Sequence, residues 1–128
     1  MNVKSVRSFA LIAGVLALGA ASQASAHHSF AMFDMTKNVT VTGEVKDFQW
    51  TNPHVWIEVA VKGSGDKAGS SFSVECGSVS VLQKQGWTRK SLKPGDEVTV
   101  VVHPLRNDAL GGSLVSASVD GKPIGRSE

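Results

Sequence analysis

Cysteine is nearly absent from this sequence. Cys76 stands alone, so no intramolecular disulfide can staple the fold. Long apolar runs are missing as well: the longest, Phe9 to Ala21, spans 13 residues, short of the roughly 20 that a membrane-spanning helix needs. There is no H-E-x-x-H pair, no P-loop, no dinucleotide fingerprint and no G-x-S-x-G elbow. The adjacent carboxylates Asp96 and Glu97 fall at a turn, where solvent is their natural partner. These absences leave no catalytic constellation, and the chain is expected not to be an enzyme. No internal repeat is visible.

A usable excess of positive charge is also lacking. The 13 Lys and Arg outnumber the 11 Asp and Glu, but Lys4 and Arg7 belong to a short basic segment ahead of the apolar run. Ala24-Ser25-Ala26 then supplies a small-residue cleavage site. Residues 1–26 therefore read as an export signal peptide, removed after Ala26, that leaves no stable membrane anchor. The remaining chain is balanced, with 11 basic and 11 acidic residues. That balance argues against a nucleic-acid partner, because phosphate binding rests on clustered Lys and Arg. Lys84, Arg89, Lys90 and Lys93 are the only close basic group, and a solvated face accounts for them. The expected location is the periplasm.

What remains is about 100 residues, enough to bury one core without a staple. Residues 27–38 show no clear period. Val39, Val41 and Val45 alternate with polar residues as in a strand with one wet face. Gly43 interrupts them, and the apolar phase changes parity at Phe48 and Trp50, the mark of a bulge or sharp bend. Asn52-Pro53 breaks the run. Val55, Ile57, Val59 and Val61 alternate in a second strand whose other face carries His54, Trp56 and Glu58. After a Gly/Ser-rich loop, Phe72, Val74 and Cys76 mark a third. Ser78 caps a short helix over Val79–Gln85, which Gly86 ends. Lys93-Pro94-Gly95-Asp96 is a turn. Val98 to His103 is a fourth strand, Asn107 to Gly112 a loop, and Leu114 to Val119 a fifth strand.

This order predicts an all-β fold with one short helix, a five-stranded OB-like barrel over residues 39–124 with a tail at 125–128. Val55, Ile57, Val59, Phe72, Val74, Val98, Val100 and Val102 should line its core. Trp87 should plug one end, and Cys76 should be a small buried residue near a strand end.

The chemistry rests on four histidines. After cleavage His27 would carry a free α-amino group beside its own ring nitrogen, and one more imidazole would complete a nitrogen set suited to Cu(II). His28, His54 and His103 are the candidates, and Met32 and Met35 add thioethers that suit Cu(I). A solvated terminus is the plainer account of His27 and His28. Trp50, Asn52 and Trp56 form a candidate ligand patch around His54, since indole offers a flat, partly polar surface.

Several runs resemble a known family. They are Ala26-His27-His28-Ser29-Phe30, Val39 to Val45, Trp50-Thr51-Asn52-Pro53-His54-Val55-Trp56, Gly86-Trp87-Thr88-Arg89 and Ser91-Leu92-Lys93-Pro94-Gly95-Asp96. The chain is similar in these to small exported proteins of Gram-negative bacteria that make up domain-of-unknown-function family 6152. The resemblance implies a periplasmic location and agrees with a small β-barrel. It implies no activity. The reading that follows is a non-enzymatic periplasmic binding domain, with copper as its candidate cofactor and a small ligand or envelope protein as its partner. The alternative is a structural or protein-interaction module of the envelope with no small ligand.

Overall fold

The computed structural model describes residues 30–125, and the export segment and cleavage site lie outside them. The described elements are β1 (Val39–Gln49), β2 (Trp56–Val61), β3 (Ser71–Glu75), α1 (Val79–Lys84), β4 (Glu97–Pro104), β5 (Gly111–Val119) and a short β6 (Lys122–Pro123). Strand order is β3-β2-β1-β4-β5-β6, and a parallel β3–β5 pairing closes the first five strands into a barrel. This is the OB-type order that the sequence pattern predicts, with α1 between β3 and β4.

β1 explains the closure. It pairs with β2 on one side and β4 on the other, through Gly43↔Val61 and Gly43↔Val98. The β1–β2 register slips between Val45 and Asp47, so Lys46 is the extra residue of a bulge. This is the physical origin of the parity change: Val41 and Val45 point inward before the bulge, Trp50 after it. A bulge bends its strand and raises the local twist, which lets one long strand serve both halves of a small barrel.

The valines and isoleucine predicted to be internal are internal. Val55, Ile57, Val59, Val74, Val98, Val100 and Val102 have no exposed surface, and Phe72 is buried with them. β-branched residues suit these positions because they pack well on a pleated surface. Cys76, Leu82, Trp87 and Leu92 join the same cluster. Ser78 caps α1 by accepting the Val81 N–H at 3.4 Å. Gln85 is the helix C-cap, so the helix ends one residue before the predicted boundary.

Two features depart from the sequence reading. Gly111 and Gly112 belong to β5 rather than to a loop, and they make the β3–β5 closure through Ser73↔Gly111 and Val74↔Gly112. Glycine carries no strand signal, yet a Cβ at Gly112 would sit 2.6 Å from the His103 carbonyl oxygen. Only a residue without a side chain fits there. β6 also escaped the pattern, because two residues are too few to show a period. No helix among the described residues is long and apolar enough to cross a membrane.

Candidate functional site

The segment Trp50–Val55 connects β1 to β2, and its polar groups are largely spent on holding that corner. Trp50 is 8% exposed and packs in the core, with its ring 5.7 Å from Phe48. Asn52 reaches across to α1, where its Oδ1 accepts the Val79 N–H at 3.0 Å. Val55 donates its N–H to the Gly77 carbonyl and accepts from the Cys76 N–H. The candidate patch of Trp50, Asn52 and Trp56 is therefore not one open surface. Trp50 is inside, Asn52 serves the helix start, and of the three tryptophans Trp56 alone is half-exposed.

Trp56 belongs instead to the outer face of β1, β2 and β3. Directly opposed residues of paired strands share a face. The register aligns Gln49↔Trp56↔Glu75 in one row and Asp47↔Glu58↔Ser73 in the next. Glu58 accepts from the Ser71 hydroxyl at 2.9 Å and the Ser73 hydroxyl at 2.7 Å. Asp47 accepts from the Gln49 amide at 2.8 Å. Glu75 Oε1 lies 3.5 Å from His54 Nδ1. Among the described residues none of these three carboxylates pairs with Lys or Arg. Asp34, Glu44, Asp96 and Glu97 each hold a lysine: Lys37, Lys46, Lys93 and Lys62. Asp66, Asp108 and Asp120 sit in loops and turns.

The two described histidines share one arrangement. His54 Nδ1 is 3.1 Å from the Cys76 carbonyl oxygen, and His103 Nδ1 is 2.8 Å from that of Lys37. In the tautomer this geometry selects, each Nδ1–H donates to backbone and each Nε2 keeps its lone pair. They are not neighbours. His103 pairs with Ser113, which pairs with Glu75, so His103 stands two strands, roughly 10 Å, from Glu75. No group of three or more His, Cys, Asp or Glu that could hold a metal ion occurs among the described residues. His27 and His28 lie outside them.

Cys76 is 4% exposed. Burial pushes its thiol from 9.0 up to about 12, with Glu75 adding to the rise. It is therefore an inert, protonated core residue.

A closed five-stranded barrel with one helix after its third strand defines the OB class. Residues 15–114 match the model of the Family of unknown function DUF6152, and the chain belongs to that family. No curated protein matches its sequence. Among solved structures it is similar to a mitochondrial single-stranded DNA-binding protein from S. cerevisiae, Rim1. That match has a TM-score of 0.51 at 9% identity and covers 67% of this chain and 95% of that one. At that identity the likeness concerns the barrel alone.

Proposed function

We propose that this protein is an exported, non-enzymatic binding domain of the periplasm that takes a cationic ligand on the outer face of β1–β3. One observation carries the reading: the accessible indole of Trp56 lies among Asp47, Glu58 and Glu75, and among the described residues none of these carboxylates forms an ion pair with Lys or Arg. An aromatic face beside carboxylates with no Lys or Arg partner among the described residues suits an organic ammonium or a lysine-bearing segment. The strand 2–3 face is the surface that OB barrels use for ligands. Single-stranded nucleic acid needs aromatic platforms set in a positive groove, and three carboxylates reverse that sign. The neighbour's DNA binding therefore finds no counterpart on this face.

The test uses Trp56 itself. Tetralysine should change the tryptophan emission saturably, Trp56→Ala should abolish the change, and Glu58→Gln with Glu75→Gln should weaken binding. An oligothymidine that binds more tightly than tetralysine would overturn the proposal.

Copper is a second reading. Backbone-anchored imidazoles with an open Nε2, as at His54 and His103, are the form that metal-bound histidines take. The His27 amine and ring nitrogen come from the sequence alone. Titration of the exported protein against a competing chelator tests it. Equal, weak binding by native protein and by His27→Ala would end it.

A further inference from the structure

A second charged surface, of the opposite sign, lies on α1 and the chain that joins it to β4. Residues 76–95 contain no Asp or Glu but hold Lys84, Arg89, Lys90 and Lys93. We propose that this surface docks the barrel, reversibly, on an anionic phospholipid bilayer.

The spacing of the buried residues sets its shape. Leu82, Trp87 and Leu92 recur at every fifth position, and all three are buried in the core cluster. They pin the segment down, so the residues between them must bow outward. The first bow ends at Gly86, whose φ of 90° is left-handed. Gly86 N–H donates to the Gln83 carbonyl and Trp87 N–H to the Leu82 carbonyl, both at 3.0 Å. This pair of bonds is the Schellman stop of a helix, and it leaves Lys84 exposed. The second bow is the turn from Thr88 to Ser91. Ser91 N–H donates to the Thr88 carbonyl at 3.0 Å, and Thr88 N–H to Ser91 Oγ at 2.8 Å. Arg89 and Lys90 stand exposed at its centre. A surface fixed in this way loses little backbone entropy on docking.

Three of the four cations are available. Lys93 is held by Asp96 at 2.7 Å. Lys84, Arg89 and Lys90 form no ion pair among the described residues. Each basic side chain near an anionic bilayer favours the bound state by about fivefold, so three together favour it by about a hundredfold.

Charge alone would suit any polyanion, and the apolar side chains decide between them. Outside the chain that leads into β1 and its first residue, Val39, the exposed large apolar side chains among the described residues are Val81 and Val115. Val81 lies one helical turn from Lys84 and Gln85, and Gln85 lines one groove with Val115. Exposed hydrocarbon beside free cations suits a lipid interface. Single-stranded nucleic acid would need an accessible aromatic platform, and Trp87, the one aromatic residue of 76–95, is buried.

Sedimentation of the exported protein with vesicles tests the proposal. Vesicles of phosphatidylglycerol and phosphatidylcholine in equal parts should carry the protein down, and vesicles of phosphatidylcholine alone should not. Molar sodium chloride should release it. Lys84→Gln, Arg89→Gln and Lys90→Gln should each weaken binding about fivefold, and the triple variant should behave as native protein does with phosphatidylcholine. Val81→Ser should weaken it about threefold. All these positions are exposed, so the melting temperature should stay near that of the native protein. The proposal fails if both vesicle types bind equally, or if the triple variant binds like the native protein. It fails equally if glycerol phosphate at matched concentration displaces the protein, which would make free phosphate the ligand, or if oligothymidine binds this surface more tightly than the mixed vesicles do. Tetralysine binding at Trp56 should be unchanged in the triple variant, so the two proposals stand or fall separately.

Discussion

Gly43→Ala should destabilise the barrel far more than one methyl group suggests. At Gly43, β1 passes so close to β2 that a Cβ would overlap the Ala60 carbonyl oxygen. It would also lie 2.7 Å from Val59 Cγ1 and 2.8 Å from the Ala60 carbonyl carbon. A flexible side chain could swing away, but a backbone carbonyl in a strand cannot. β1 is also held from behind by β4 through Val98, so it has nowhere to retreat. Overpacking in a tight core costs roughly 1–3 kcal/mol, and contact with fixed backbone places this variant at the upper end, about 3 kcal/mol. For a domain of this size each kcal/mol lowers the melting temperature by about 4–8 °C, so a drop of about 12–24 °C is expected. Gly65→Ala is the control. Nothing lies within 4 Å of a Cβ there, and the gain of about 0.4–1 kcal/mol from a stiffer unfolded chain should raise the melting temperature slightly. Thermal denaturation followed by circular dichroism reads both. If Gly43→Ala melts within about 3 °C of the native protein, β1 does not make the close pass on which the barrel closure depends.

Asn52→Ala should cost about 1 kcal/mol in urea denaturation, the usual loss for removing a helix-start acceptor, whereas Asn52→Asp should keep most of it because a carboxylate oxygen still accepts from Val79. Cys76 should resist an aromatic disulfide reagent at pH 8 in the folded protein and react at once in denaturant. Its folded value, about 12 against an ordinary 9.0, means that the unfolded chain gives up this proton first. The stability contributed by the neutral thiol should be complete below pH 9 and lost as pH rises from about 9 to 12, a loss missing from Cys76→Ala. Exported protein should begin at His27 by N-terminal sequencing, and a full-length chain recovered from the membrane fraction would refute the export reading.

The barrel was legible because its strands carry a two-residue period that survives without context. Val55 to Val61 and Val98 to Val102 announce their buried faces directly. The parity change at Phe48 located the bulge to within a few residues, and followed one step further it also places Trp50 inside, since Phe48 and Trp50 share the inward phase. What could not be read locally depends on partners far along the chain. Asn52 meets Val79, 27 residues away, and no nearby residue hints at it. The β3–β5 closure rests on two glycines, which lack a side chain to signal anything. The grouping of Asp47, Glu58 and Glu75 is likewise invisible until the register of three strands is known, because the three are scattered across 29 positions of sequence.

Charge illustrates the same point. The totals, 13 basic against 11 acidic residues, speak only to an average, and an average near zero fits a protein with no charged surface as well as one with two opposed ones. The fold separates the charges. Four lysines are bound to acids at Asp34, Glu44, Asp96 and Glu97, while among the described residues the carboxylates on the outer face of β1–β3 have no Lys or Arg ion-pair partner. Local potential, not net charge, governs what approaches a surface within a Debye length of about 8–10 Å. An OB barrel that binds DNA and one that repels it can therefore share every strand and differ only in which sign the register brings to strands 2 and 3. In this chain Glu58 and Glu75, the acids on either side of Trp56, set that sign.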